Sequence, residues 1–137
     1  MNIAKAVDTL LKEFRRDVPD YLASGIVDMS TGMLLEVDTV ETHPREILEL
    51  LAATTADLFQ GKAVTQIEEL WKETRGVSDT RHYFHEMLIF SENLVHLFMR
   101  SQANPDIAAV IVCARQVNVG MLLAQARQVF RQLETMQ

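Results

Sequence analysis

The stretch "HYFHEMLIFSENLVHLFMRSQANPDIAAVIVCA", His82 to Ala114, limits the possible folds more than any other part of the chain. Its apolar runs, about 82–90, 94–101 and 107–114, are separated by short polar clusters and read as strands. With Glu92–Asn93 as a two-residue turn, Phe90 pairs with Val95, Leu88 with Leu97 and Glu86 with Met99 on one face. Ile89 with His96, Met87 with Phe98 and His85 with Arg100 fall on the other. Both faces are largely apolar, and the third run is apolar almost throughout. A sheet with one wet face would alternate cleanly, so this one needs cover on both sides.

The remainder of the chain supplies that cover. Ile3, Val7, Leu10, Leu11 and Phe14 lie on one face of a helix, with Asn2 as its N-cap and Asp17–Pro19 as its stop. Leu122, Ala126, Val129, Phe130 and Leu133 repeat the same offsets in a closing helix capped by Asn118. These terminal helices are expected together on one sheet face. "YLASGIVDMSTGMLLEVD" reads as two short strands, with Gly32 in the tight turn between them. Gly25, inside the first strand, implies a bulge or a close backbone neighbour.

A middle helix is expected on the opposite sheet face. His43 and Pro44 start it, Glu46 suits its positive end, and Ile47, Leu51, Thr54 and Leu58 line one side. "VTQIEELWKETRG" is also helical, with Val64, Ile67, Leu70, Trp71 and Thr74 on one side. Helical phase nearly survives across Gly61, so one long helix or two shorter ones are open, and a break or bend is the favoured reading. The predicted order is helix, two strands, helical segment, three strands, helix, all in a single domain spanning 1–137.

Composition narrows the function. Hydrophobic content of 48% and charged content of 23% are those of a globular chain. A net charge of −6 with no basic stripe argues against nucleic acid. No apolar run is long enough to span a membrane. The N-terminus lacks the pattern of a signal peptide, and the one cysteine, Cys113, suits a reducing compartment, so a cytoplasmic setting is expected.

No site for catalysis or a cofactor stands out. A four-residue turn at Ala103–Asp106 would set Cys113 opposite His96, a pairing that could serve a thiolate nucleophile or a ligand site. No carboxylate or oxyanion donor accompanies them, so a small buried hydrophobe is the favoured reading of Cys113. His82 and His85 are three apart, an odd strand offset that sends them to opposite faces, and zinc is not expected. The strand–loop–helix join "ARQVNVGM" has one glycine, Gly120. It lacks the converging backbone N–H groups of a phosphate loop, which excludes a GTPase itself but not a partner of one.

The order of elements and three local signatures resemble the roadblock family, the dynein light-chain and longin-like α+β domains. "SGIVDMSTGMLLEV" is similar to its first hairpin, "HEMLIFSENLVHLFMRSQANPDIAAVIVC" to its three-stranded meander, and "NVGMLLAQARQVFRQLE" to its final helix. The segment 61–81 departs, being longer and more helical than the usual link. The resemblance implies a five-stranded antiparallel sheet in the order 2-1-5-4-3 with helices on both faces. It also implies a non-catalytic dimeric scaffold, or a regulator of a small Ras-like GTPase or of a larger complex. A small enzyme using the Cys113–His96 pair is the alternative.

Independent physics supports the dimer. The strand 82–90 would lie at the sheet edge and contains neither Pro nor Lys, so its unpaired backbone invites a second strand. Under two-fold symmetry a second copy would meet it through His82, Phe84, Glu86, Leu88 and Phe90. If 61–81 folds over this edge, the chain stays monomeric. Trp71 reads as core or as a contact for a partner.

Overall fold

A computed structural model describes residues 3–41 and 45–135. The expected cap at Asn2 and helix start at His43 and Pro44 lie outside the described residues, as do the side chains of Ile3, Glu46, Ile47 and Leu133. The elements run α1 (Ile3–Asp17), β1 (Tyr21–Asp28), β2 (Met33–Thr39), α2 (Arg45–Gln60), α3 (Lys62–Arg75), β3 (Glu86–Phe90), β4 (Leu94–Arg100), β5 (Ile107–Ala114) and α4 (Val119–Thr135). The strands form one antiparallel sheet in the order β2-β1-β5-β4-β3. This is the α+β architecture expected.

Helices cover both faces. Val7, Leu10, Leu11 and Phe14 of α1 and Leu122, Ala126, Val129 and Phe130 of α4 are buried together on Ile26, Val95, Leu97, Met99, Ile111 and Cys113. The side chains at the offsets read from the sequence therefore drive both terminal helices onto one face. Asn118 caps α4, its Oδ1 accepting the Met121 N–H at 3.0 Å. On the opposite face Ala52 and Phe59 of α2 pack on Val27, Met29, Phe98 and Ala108.

The β1–β2 turn places Gly32 at φ 74°, a conformation that costs glycine little. Gly25 lies under a close neighbour: a Cβ there would come within 3.3 Å of the Glu36 carbonyl oxygen. A bulge lies one residue further on, where the register shifts between Ile26 and Val27.

The inward face of α2 differs from the expected one. Ala52, Thr55 and Phe59 are buried, whereas Leu51 and Thr54 are exposed. "EILELLAATTADLF" is apolar around more than one side, so periodicity offered two phases. Phe59, fully buried, fixes the one adopted. The break at Gly61 is as favoured: α2 ends at Gln60 and α3 restarts at Lys62. Gly61 has φ −63° and ψ 166°, outside the helical range, and its N–H still donates to the Asp57 carbonyl at 2.9 Å.

Two further boundaries move. The strand expected at 82–90 begins only at Glu86, because the Tyr83 N–H is taken by the Glu68 carboxylate of α3 at 2.6 Å. The β4–β5 loop has five residues rather than four: the Ser101 N–H donates to the Ile107 carbonyl at 2.9 Å and Arg100 pairs with Ala108. Glu134 of α4 holds this longer loop by accepting the Gln102 and Ala103 N–H groups at 3.0 and 2.7 Å.

Candidate functional site

The extra loop residue dissolves the cysteine–histidine pairing. Cys113 lies opposite Val95 and His96 opposite Val112, so a slip of one position puts the two side chains on opposite sheet faces. Cys113 is completely buried, and burial, with Asp20 adding to it, pushes its thiol up to about 12. A thiol so far above neutral pH supplies no nucleophile. On the other face, burial lowers the His96 pKa, and Nε2 lies 3.3 Å from Ser91 Oγ.

Tyr21, which the sequence reading passed over, bonds Ser24 Oγ at 2.6 Å and Asp38 Oδ2 at 2.7 Å, while Arg15 pairs with Asp38 at 3.1 Å. Burial raises the Tyr21 pKa against the opposing bond from Ser24. These four groups tie α1 to the first hairpin. No cluster of three or more His, Cys, Asp or Glu suited to a metal occurs among the described residues. Among them, too, no helix is long and apolar enough to cross a membrane.

What the structure does present is the edge formed by β3. Its ladder to β4 holds Glu86 to Met99, Leu88 to Leu97 and Phe90 to Val95, as the two-residue turn required. The Arg100 N–H donates to the His85 carbonyl at 2.8 Å and the Ser91 N–H to the Leu94 carbonyl at 2.9 Å. Antiparallel pairing alternates, so residues 85, 87, 89 and 91 turn their backbone groups toward β4. The N–H and C=O groups of Glu86, Leu88 and Phe90 therefore face away from the sheet. Among the described residues no strand or backbone group meets them.

Side chains along the edge are apolar and partly open. Phe90 is 49% exposed, with the Arg115 guanidinium 4.8 Å above its ring. Ile89 is exposed on the opposite face. Glu86 accepts from Arg127 of α4 through both carboxylate oxygens, at 2.7 to 3.2 Å. His82 and Phe84 precede the strand. His82 bonds Glu68 through Nδ1 at 3.1 Å, and Phe84 packs beside Trp71 with ring centroids 5.8 Å apart.

The helix α3 does not cap the edge. Its anchor is Glu68, 3% exposed, which accepts from Tyr83 and His82. Burial alone would raise the Glu68 pKa, but these two bonds, together with the charges of His82 and Arg100, outweigh it and the net direction is downward. With Glu68 turned inward, the expected apolar face turns outward: Ile67, Leu70 and Trp71 are exposed, Trp71 at 46%. Trp71 stacks on Tyr83, centroids 5.9 Å apart, and is not a core residue. The sequence reading missed this because it assigned the inward face by hydrophobicity, while a buried carboxylate with two donors sets the rotation of the helix.

Comparison with known proteins bears on the fold. No protein-family model matches the chain, and no curated protein matches it in sequence. Solved structures do match. One described as MglB with tetrameric arrangement aligns with a TM-score of 0.72 at 16% identity, covering 96% of this chain and 87% of that one. A roadblock/LC7 domain from Streptomyces avermitilis aligns with a TM-score of 0.60 at 11% identity, covering 93% of this chain and 98% of that one. The chain has the roadblock fold. The gliding protein MglB from Thermus thermophilus agrees, with a TM-score of 0.70 at 15% identity over 96% of this chain and 87% of that one. Within this roadblock fold, the aromatic cluster Trp71–Tyr83–Phe84 links the outward face of α3 to the start of the open β3 edge, while β2 forms the opposite edge of the sheet.

Proposed function

We propose that the chain is a non-catalytic module that pairs with a second copy of itself through β3 and presents the joined surface to a small Ras-like GTPase. One observation carries the self-pairing: the outward backbone groups of Glu86, Leu88 and Phe90 have no backbone partner among the described residues. Such an edge is ordinarily blunted by Pro, Lys or a covering segment. Here α3, the segment that could have covered it, is rotated away and held by Glu68.

A two-fold axis across β3 would extend the sheet and bring the exposed Ile67, Leu70 and Trp71 next to their counterparts or to a common partner. His82 and Phe84, ahead of the strand, would flank the contact, and Trp71 would anchor it. That a structure of this fold is described as tetrameric supports self-assembly as the mode of action. The GTPase follows from the resemblance to roadblock domains together with the lack of any phosphate loop in this chain: the module would act on a nucleotide-binding protein without binding the nucleotide.

The test is a capture experiment with a Leu88→Pro variant as control. The Leu88 N–H points away from β4, so proline there removes an outward donor and leaves the ladder bonds of the sheet intact. Capture of a Ras-like GTPase by the unmodified protein and its loss in the variant are expected. Capture of other subunits with no GTPase would instead make the chain a structural component.

A further inference from the structure

A helix is ordinarily fastened to its domain by an apolar face. The helix α3 is fastened differently. Glu68 is its one buried residue, while Ile67, Leu70 and Trp71 face outward. The hold runs through residues 82–84: Glu68 accepts from His82 and from the Tyr83 N–H, Trp71 lies against the Tyr83 and Phe84 rings, and Lys72 Nζ sits 5.6 Å from the Tyr83 ring centroid. A glycine outside the helical range bounds α3 at each end, Gly61 at φ −63°, ψ 166° and Gly76 at φ 69°, ψ 27°. An element with so little buried apolar surface opens at low cost.

The segment so held has the sequence of a strand but not the alternation of one. Leu88 packs on the face of α1 and α4, and Met87 on the face of α2. Phe84 also packs on the α2 face, although it lies three residues from Met87, an odd offset that an extended chain would divide between the faces. Continuing β3 back to residue 82 would send Phe84 to the face of Glu86 and Leu88. A cavity of about 400 Å³ lies there between β3 and α4, against Met99, Arg127 and Phe130, with room for a phenyl ring. The same change would add His82 and Phe84 to the outward backbone row of Glu86, Leu88 and Phe90.

We propose that α3 is an autoinhibitory latch on the pairing edge. While Glu68 and Trp71 hold residues 82–84 the edge is short; their release lets β3 extend to His82 and lets Phe84 enter the cavity beside α4. The inference rests on the self-pairing proposed above and adds its regulation. The β4 strand turns into its loop at Ser101, whose N–H goes to Ile107, so an extended 82–84 draws its backbone partners from a second copy. Release and pairing therefore favour each other. A partner that grips Ile67, Leu70 or Trp71 in the released position shifts the chain toward the longer edge, which couples partner binding to assembly.

The test is sedimentation equilibrium on the full chain, unmodified and as two separate variants, with circular dichroism to check the fold. Glu68→Ala removes the polar hold. Tyr83→Ala removes the ring stacked on Trp71 and keeps the backbone N–H, so it serves even if Glu68→Ala fails to fold. Each variant is expected to pair about tenfold more tightly than the unmodified chain, the equivalent of one charge-assisted hydrogen bond. In the paired variants, nuclear Overhauser contacts of the Phe84 ring should move from Trp71 to Phe130. Pairing that is equal or weaker in both variants, or a Phe84 ring that stays beside Trp71, would overturn the latch while leaving self-pairing intact. Single-chain mass in all three proteins would instead overturn self-pairing itself, and the latch with it.

Discussion

At the scale of single residues, Gly61 and Cys113 show what a local pattern can and cannot reveal. Gly61 punctuates a helical stretch, and the structure gives the reason: a Cβ there would lie 2.6 Å from the Asp57 carbonyl oxygen, a backbone atom that cannot swing aside. Gly61→Ala is therefore expected to destabilise the protein by about 1–3 kcal/mol, read as a lowered thermal midpoint. An unchanged midpoint would mean that the α2–α3 corner relaxes freely. Cys113 was legible as a buried hydrophobe but not by its neighbour, because a loop length one residue in error moves it to the other face. With the thiol buried and pushed up to about 12, iodoacetamide at neutral pH should label it only after unfolding. Rapid labelling of the folded chain would contradict the β5 register.

At the scale of elements, the terminal helices were readable because each has a single apolar stripe with the same offsets. The helices α2 and α3 were not. The first is apolar on more than one side. The second is turned by Glu68, whose importance depends on the distant Tyr83 and His82 and so leaves no trace in local periodicity. Replacing Glu68 by Ala leaves the Tyr83 N–H without its acceptor and is expected to cost about 1–3 kcal/mol. The pH dependence has a definite sign. The folded pKa of Glu68 is depressed, so its contribution is complete above the unfolded value near 4.5 and disappears as pH falls through the folded one. Acidification below that window should lower the protection of the Tyr83 amide against hydrogen exchange, relative to its intrinsic rate at the same pH, with His82 and Arg100 the charged groups beside the carboxylate. A Glu68→Gln variant should lose this dependence, and an exchange rate with the same acid profile in both proteins would sink the assignment.

At the scale of the whole molecule, the two-sided apolar hairpin required a layered sandwich, and resemblance to roadblock domains supplied the strand order that the structure has. The extent of the edge was overestimated. Residues 82–84 of the anticipated strand are drawn off by Glu68 and Trp71 of α3, which leaves Glu86–Phe90 as the part that can pair. The central claim is that this shorter edge remains open and is satisfied by a second copy. Light scattering coupled to size-exclusion chromatography tests it most directly. The unmodified protein is expected at twice the 15.6 kDa chain mass, or at a higher even multiple. Leu88→Pro should return it to the single-chain mass, while Leu88→Ala, which trims packing but keeps the outward N–H, should stay paired. A single-chain mass for the unmodified protein at every concentration measured would contradict the account.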